Sequence, residues 1–407
     1  MQSSNPLVRR LAARRSFAAL AACVACALAV SACGSSDDSG SGTGTGQGAS
    51  TSASTATTGG SDPVQTAKEA VTKGSAAPTF AAPGPAFKVA SGLTGKKVWY
   101  VANGLNFPFS QNLVKGVTDA AKVVGMKVTA VDGAGQPAKA ASLIQQGISQ
   151  KAAVIVIQAF PSKAVMEPIK AAKAAGIPVI EIVDGQPGMP SAEAQAAGVF
   201  ANVSSCYACG GSSLAEIVIA NTNGKANVVF VDVPDIQTTA GERDAFKARL
   251  TELCSSCKVK VVSSPVAQWN GLTALTSSVL KADPTVNYLV PALDAMVAIM
   301  KPAIYAANAQ DRVHVASYNA TKPVMTDLKK GVLIGGLVGN PEEWMGWGVM
   351  DEALRALSKQ DALADEKIPN RTFVKENVGD IDVNTPSIEW YGDTDFRGGY
   401  TQLWQKP

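Results

Sequence analysis

The sequence predicts an α/β protein of two doubly wound, Rossmann-like lobes joined by a multi-segment hinge. Three observations carry this. From residue 96 onward, short β-branched runs alternate with helical stretches. The strand-like runs are apolar on both faces, as in a parallel sheet covered by helices on each side. A second series of the same kind begins near residue 200, and two such series in one chain make two lobes.

In the first series the strand candidates are "KVWYVA", "KVTAV", "AVIVIQA" (153–159) and "PVIEIV" (178–183). Their Val, Ile and aromatic residues favour a pleated surface. Between them lie "SQNLVKGVTDAAKVV", "AKAASLIQQGIS" and "KAVMEPIKAAKAA", which read as helices. The second series has "ANVVFVDV" (226–233), "VKVVSS", "VNYLVP" (286–291) and "VHVASY" (313–318), with helices starting near Ala240, Gly271 and Asp294. Next come "GVLIGGLVG" (331–339) and a helix near 341–358. The aromatic, loop-rich end, including "SIEWYGDTDFRGGYTQLWQ", reads as crossing segments and a covering tail.

The N-terminus sets the compartment. Arg9, Arg10, Arg14 and Arg15 form a basic region ahead of the apolar "FAALAACVACALAV" (17–30). That run is shorter than the roughly 20 residues a membrane span needs and fits the core of a secretory signal peptide. It leads into Val30-Ser31-Ala32-Cys33, which resembles the lipobox of bacterial lipoproteins, with Cys33 as the lipid attachment site. A plain signal peptide cleaved nearby is the alternative. The Gly/Ser/Thr-rich 34–62 cannot bury enough apolar surface to order itself. An Ala/Pro/Lys segment extends the expected tether to residue 94. The expected organisation is therefore a signal peptide over 1–32 and a tether over 33–94. The N-terminal lobe takes 95–200 plus about 340–362, and the C-terminal lobe and tail take 201–339 plus about 363–407.

Composition excludes several classes. The formal charge is +3, but the four arginines of 1–32 account for it, and 3 − 4 leaves about −1 on the mature chain. No nucleic acid partner is implied. The single histidine, His314, lies in a strand run, so zinc sites built on several histidines are excluded, and no G-x-S-x-G elbow accompanies it. There is no P-loop, and no G-x-G-x-x-G after the first strand. Neither cofactor nor metal is expected.

Four of the seven cysteines remain beyond Cys33, as "CYAC" (Cys206, Cys209) and "CSSC" (Cys254, Cys257). Export favours disulfides, and three pairings are possible. Topology favours local bridges. Cys206 and Cys209 precede a helix at the cleft end of the second lobe, and Cys254 and Cys257 follow one at the far end. A redox role for either C-x-x-C is the alternative. Asp184, Asp232 and Asp294 could supply a glycosidase pair, a weak signal in any cleft.

The stretch "NGLNFPFSQNLVKG" (103–116) places Phe107 and Phe109 around Pro108 at the carboxyl end of the first strand. In open parallel sheets that end binds ligands, so two rings there form the apolar wall of a cleft. Packing under neighbouring loops is the alternative.

At this point the chain resembles the type I periplasmic binding proteins, in particular the ribose/galactose-type solute receptors of ABC importers. The resemblance runs in order over about 95–358. It rests on "NFPFSQNLVKGV", "IPVIEIVDGQ", "TTAGERDAF" (238–246), "AQWNGLTA" (267–274) and "VHVASYNAT" (313–321). It implies that Phe109 and Trp269 sandwich a sugar ring, with Asp184, Arg243, Asp294 and Asn319 among the polar ligands. Asn106, Phe107, Gln158 and Trp344 complete the expected ligand-binding set, and Tyr318 adds a cleft aromatic. Gly185, Leu293 and Asn319 depart from the family pattern and thin its polar grip. A more aromatic, less charged pocket suits a nucleobase, a larger glycoside or another heterocyclic solute.

The resemblance implies a monomeric, lipid-anchored receptor on the outer face of the cytoplasmic membrane. It would deliver a small-molecule ligand to an ABC permease and perform no chemistry. A sensory receptor presenting the same fold to a membrane kinase or chemoreceptor is the second reading. An exported redox or glycosidase enzyme is the third. A repressor is disfavoured, because 1–94 encode export and a tether and no helix-turn-helix.

Overall fold

The computed structural model describes residues 62–405. The signal peptide, Cys33 and the Gly/Ser/Thr run to residue 61 lie outside the described residues.

Both expected series form. The first comprises β2 (Lys97–Ala102), α2 (Pro108–Val123), β3 (Lys127–Asp132), α3 (Pro137–Ser149), β4 (Val154–Gln158), α4 (Met166–Ala174), β5 (Val179–Ile182), α5 (Ala192–Ala197) and β6 (Val199–Val203). Its five strands pair in parallel in the order β3-β2-β4-β5-β6. The second comprises α6 (Tyr207–Thr222), β7 (Asn227–Asp232), α7 (Gln237–Leu253), β8 (Lys258–Ser263), α8 (Leu272–Ala282) and β9 (Tyr288–Pro291). It continues through α9 (Val297–Ala306), β10 (His314–Asn319), α10 (Lys322–Lys330) and β11 (Ile334–Gly339). The sheet order β12-β11-β10-β9-β7-β8 repeats the first topology, with β12 (Arg371–Phe373) added antiparallel at the edge. In each lobe the order reverses beside the first strand, between β2 and β4 and between β7 and β9. That reversal is where such sheets open a crevice. His314 begins β10 at the surface, its ring 6.0 Å from Tyr288.

Each lobe contains a helix crossing without side-chain spacers. α2 packs on α11 (Glu342–Leu357) through Gly116, where a Cβ would lie 2.2 Å from the Glu343 carbonyl, and Gly346, where one would lie 2.5 Å from the Val117 nitrogen. In the second lobe α6 meets α7 at Gly211, where a Cβ would stand 2.1 Å from the Glu242 carbonyl. Backbones this close leave no room to slide.

The chain passes between lobes at 204–206, at 340–341 and between α11 and β12. Side chains from all three passages meet. The Ser205 and Tyr318 hydroxyls are 2.9 Å apart, and Asn340 Nδ2 donates to Ser205 Oγ at 2.9 Å. Tyr318 donates to Asn370 Oδ1 at 2.7 Å, and Asn370 Nδ2 donates to the Cys206 carbonyl at 2.8 Å. Tyr318, expected as a cleft aromatic, is fully buried in this node instead. Both C-x-x-C pairs form local disulfides, Cys206–Cys209 joining the N-cap of α6 to its first turn and Cys254–Cys257 between α7 and β8.

Two expectations about the ends are corrected. The tether does not run to residue 94. Asp62 caps α1 (Pro63–Gly74), accepting from the Val64 amide at 3.1 Å, and Pro63 occupies the first helical turn. Ala67 of α1 is fully buried, and α1 packs on α6. The Phe80 ring then lies 5.6 Å from Trp344 and 5.4 Å from Tyr400. Next, β1 (Phe87–Lys88) pairs in parallel with β13 (Trp404–Gln405). Nor does the whole of 363–407 belong to the C-terminal lobe. β12 and α12 (Lys375–Val378) do, but α13 (Phe396–Leu403) packs on α11, which is bound to α2 of the first lobe. Aromatic burial draws the tail there: Trp344 stacks on Phe396 at 5.1 Å and Trp347 on Trp404 at 5.4 Å.

Truncation is the test of this assignment. A chain starting at residue 95 leaves uncovered the surfaces that α1, Phe80 and Phe87 bury. Losing two core aromatics costs about 3–5 kcal/mol each, so the shortened protein should melt at least about 10 °C lower. A chain starting at residue 62 should melt like the complete mature protein.

Beneath the tail lies a buried acidic network. Asp351 accepts from Arg355 Nε and from Trp404 Nε1, both at 2.6 Å. Glu366 accepts from the Tyr400 hydroxyl at 2.8 Å, and Glu352 accepts from the Leu363 amide at 2.8 Å. Three carboxyls face one guanidinium. Burial, joined by the charge of Asp351, pushes Glu352 up to about 8. A carboxyl raised on folding stabilises the protein while protonated and loses that contribution as pH rises through its folded value. Between pH 7 and 9 Glu352 ionises in the folded protein and its contribution is lost. Glu181 in β5, also raised to about 8 by burial and then by Asp184, adds to it. The melting temperature should therefore fall over this range, and Glu352→Gln should make the fall shallower.

Candidate functional site

The carboxyl ends of the two sheets face one cavity of about 520 Å³. The first lobe contributes Asn103, Phe107, Phe109 and Ser110 after β2, Gln158 and Ala159 at β4, and Val183 after β5. The second contributes Ile236 and Thr238 after β7, Val266 and Trp269 after β8, Leu293, Asp294, Ala295, Val297 and Ala298 after β9, and Asn319 and Thr321 at the end of β10. Every loop that follows a strand flanking a switch point takes part, as the topology requires.

The loop after β2 shows how sequence places these rings. Pro108 starts α2 with its fixed backbone angle, and Phe107 occupies the extended position before it. That geometry turns the Phe107 ring toward the opposite lobe, where it meets Trp269 edge-on at 5.9 Å. Trp269 is fixed by its indole donating to the Ser264 carbonyl at 3.2 Å. An edge-to-face pair spanning the lobes marks a closed cleft.

The polar groups are few and mostly held. Gln158 accepts from the Tyr100 hydroxyl at 3.0 Å and donates to Ser110 Oγ at 2.8 Å. Asp294 accepts from the Thr321 amide at 2.7 Å and from its hydroxyl at 2.5 Å. Burial nevertheless pushes Asp294 up to about 6. Asn319 Oδ1 and Thr238 Oγ1 are buried without a partner. Unpaired buried oxygens cost free energy that a bound hydroxyl would recover. Lys301 is neutralised by Asp327 at 2.7 Å, so among the described residues the lining offers no free cation.

Of the ten residues expected to bind ligand, Phe107, Phe109, Gln158, Trp269, Asp294 and Asn319 line this cavity. The other four do not. Asn106 is exposed on the loop beside Phe107. Asp184 accepts from Ser162 Oγ at 3.3 Å behind Val183. Arg243 is held between Asp232 at 2.8 Å and Asp244 at 2.9 Å. Trp344 is buried against Phe80 and Phe396 under the tail. Of the three carboxylates weighed for a glycosidase, only Asp294 lines the cavity.

Sequence reasoning missed Asn103, Tyr207, Thr238 and Thr321. Thr238 and Thr321 fall within the stretches that carried the resemblance, and Asn103 within the loop after β2. Their neighbours drew attention because rings and charges are more conspicuous than small polar groups. Tyr207, the first residue of α6, follows the cysteine whose disulfide dominates that segment.

Comparison with known proteins decides the family. A family model described as a periplasmic binding protein domain matches residues 98–361. The chain belongs to that family. Among curated relatives of this periplasmic binding protein, the ribose import binding protein RbsB of Bacillus subtilis is 25% identical over 242 residues, covering 58% of this chain and 74% of the relative. Solved structures share the fold. An ABC transporter solute binding protein from Agrobacterium vitis with bound allitol superposes with a TM-score of 0.63 at 19% identity, covering 70% of this chain and 98% of that one. The 5-methylthioribose transporter solute binding protein from Thermotoga lettingae, in complex with 5-methylthioribose, gives 0.65 at 14% identity, covering 78% and 99%. The expected type I periplasmic binding fold of two Rossmann-like lobes is thereby established for this binding protein.

Proposed function

We propose that this chain is the extracytoplasmic, lipid-anchored receptor of an ABC importer. It closes on a sugar or sugar-like solute and delivers it unchanged to a permease. The observation that carries the reading is the closed cleft, in which Phe107 and Phe109 of one lobe face Trp269 of the other around the unpartnered Asn319 and Thr238 oxygens. Rings bind the C–H faces of a sugar, and the free acceptors receive its hydroxyls. Asp294 and Gln158 supply further hydrogen bonds. Among the described residues the lining has no pair of unengaged carboxylates and no nucleophile beside a base, which supports binding without chemistry. The basic and apolar segments of 1–32 and the run ending at Cys33 support export and lipid anchoring. The ribose import function of the B. subtilis relative supports an import role.

A thermal-shift screen of the protein against sugars, nucleosides and amino acids tests the proposal. A specific ligand at 100 times its Kd should add about 2.7 kcal/mol to stability. Stabilisation by sugars or nucleosides supports the reading. Stabilisation by amino acids alone, or by none of the three classes, refutes the ligand class.

A further inference from the structure

The cavity continues beyond the aromatic rings into an alcove between α9 and α10. The two helices line it with matching positions. α9 presents Val297, Ala298 and Lys301, and α10 presents Pro323, Val324 and Asp327. Residues at i, i+1 and i+4 lie on one helix face, so each helix turns one continuous stripe into this space. At its far end the Lys301–Asp327 pair, 2.7 Å apart, ties the helices together and cancels the charge. Ala298 and Pro323 are exposed, so the alcove is open on that side.

Three properties follow for whatever fills it. The walls are aliphatic and ring carbons, so the occupant is apolar. Among the described lining residues the cation, Lys301, is already paired with Asp327, so an anionic substituent finds no counter-charge in the alcove. The alcove belongs to the same cavity as the space beside Trp269 and Asn319, so a substituent on a molecule held there can reach it. The whole cavity, about 520 Å³, lies within the usual span for drug-sized ligands, so a ring and its substituent fit together.

We propose that the solute is an uncharged glycoside. Its hydroxylated ring lies among Phe107, Phe109 and Trp269, and its apolar alkyl, alkylthio or aryl substituent lies in the α9/α10 alcove. This rests on the sugar-like ligand class proposed above. It adds a second subsite with its own selectivity: the substituent sets how tightly otherwise identical sugars bind.

The test is calorimetric titration of the full-length protein with D-ribose, D-glucose and D-galactose and with the methyl and phenyl glycosides of each. The phenyl glycoside of the accepted sugar should bind at least about tenfold more tightly than its methyl counterpart, the gain expected from burying one ring. Ala298→Trp, at an exposed helix position, should fill the alcove and bring the phenyl-to-methyl ratio to about one. Ala298→Glu, which places a charge there, should also lower the ratio and covers the case in which the Trp variant folds poorly. Equal binding of methyl and phenyl glycosides by the unaltered protein would overturn the alcove while leaving the sugar reading intact. So would an unchanged ratio in both variants. Failure of every sugar and glycoside to bind would overturn the ligand class, and the alcove assignment with it.

Discussion

Trp269→Ala is expected to weaken ligand binding about 100-fold. The ring supplies one wall of the cleft and meets Phe107 at 5.9 Å across the lobes. Truncation removes apolar burial worth about 1.5–3 kcal/mol. It also removes aromatic geometry worth about 0.5–1.5 kcal/mol. At 1.4 kcal/mol per decade, the middle of that sum is about two decades in Kd. Titration calorimetry with the solute found by thermal shift measures it. Trp269→Phe keeps a ring but loses the bond to the Ser264 carbonyl, so it should fall between the two. An alanine variant within about threefold of the parent would mean that the solute binds elsewhere. The indole is also largely buried by the protein itself, so the melting temperature of each variant has to be measured alongside.

Trp404→Ala should lower the melting temperature by about 10 °C. The side chain stacks on Trp347 at 5.4 Å and donates to Asp351 at 2.6 Å. Replacing a buried Trp by Ala costs about 3–5 kcal/mol, and in a protein of this size each kcal/mol moves the midpoint by a few degrees. The change also leaves Asp351 with Arg355 as its remaining side-chain donor while Glu352 and Glu366 stay close. Scanning calorimetry measures the shift. A fall below about 2 °C would show that the tail only lies over the first lobe and does not stabilise it.

The strands of both lobes were legible because each carries its own signal. "AVIVIQA" became β4 and "VHVASY" became β10, since runs apolar on both faces fit only a covered parallel sheet. The segment from 62 to 94 was not legible for the opposite reason. Its Ala and Pro content imitates a linker, and the partners of Phe80 and Phe87 are Trp344, Tyr400 and Arg355, more than 250 positions away. Trp344 was misassigned because both α11 tryptophans look alike in sequence and nearly every face of that helix is buried. Arg243 was misassigned because its neutralisation by Asp232 depends on how β7 and α7 meet. Phe107, Phe109 and Trp269 were legible because rings in a strand-end loop have no local partner to satisfy them.

The glycine crossings at Gly116, Gly346 and Gly211 make each half stiff, since backbone seated on backbone has no softer mode to yield. Filling the cleft therefore cannot be absorbed as a gradual local deformation. In the receptor proposed above, it would emerge as a change in the angle between two solid bodies joined at the Ser205–Tyr318–Asn370 node. A molecule resting on both bodies at once would feel that tilt at full amplitude, however small the solute that produced it.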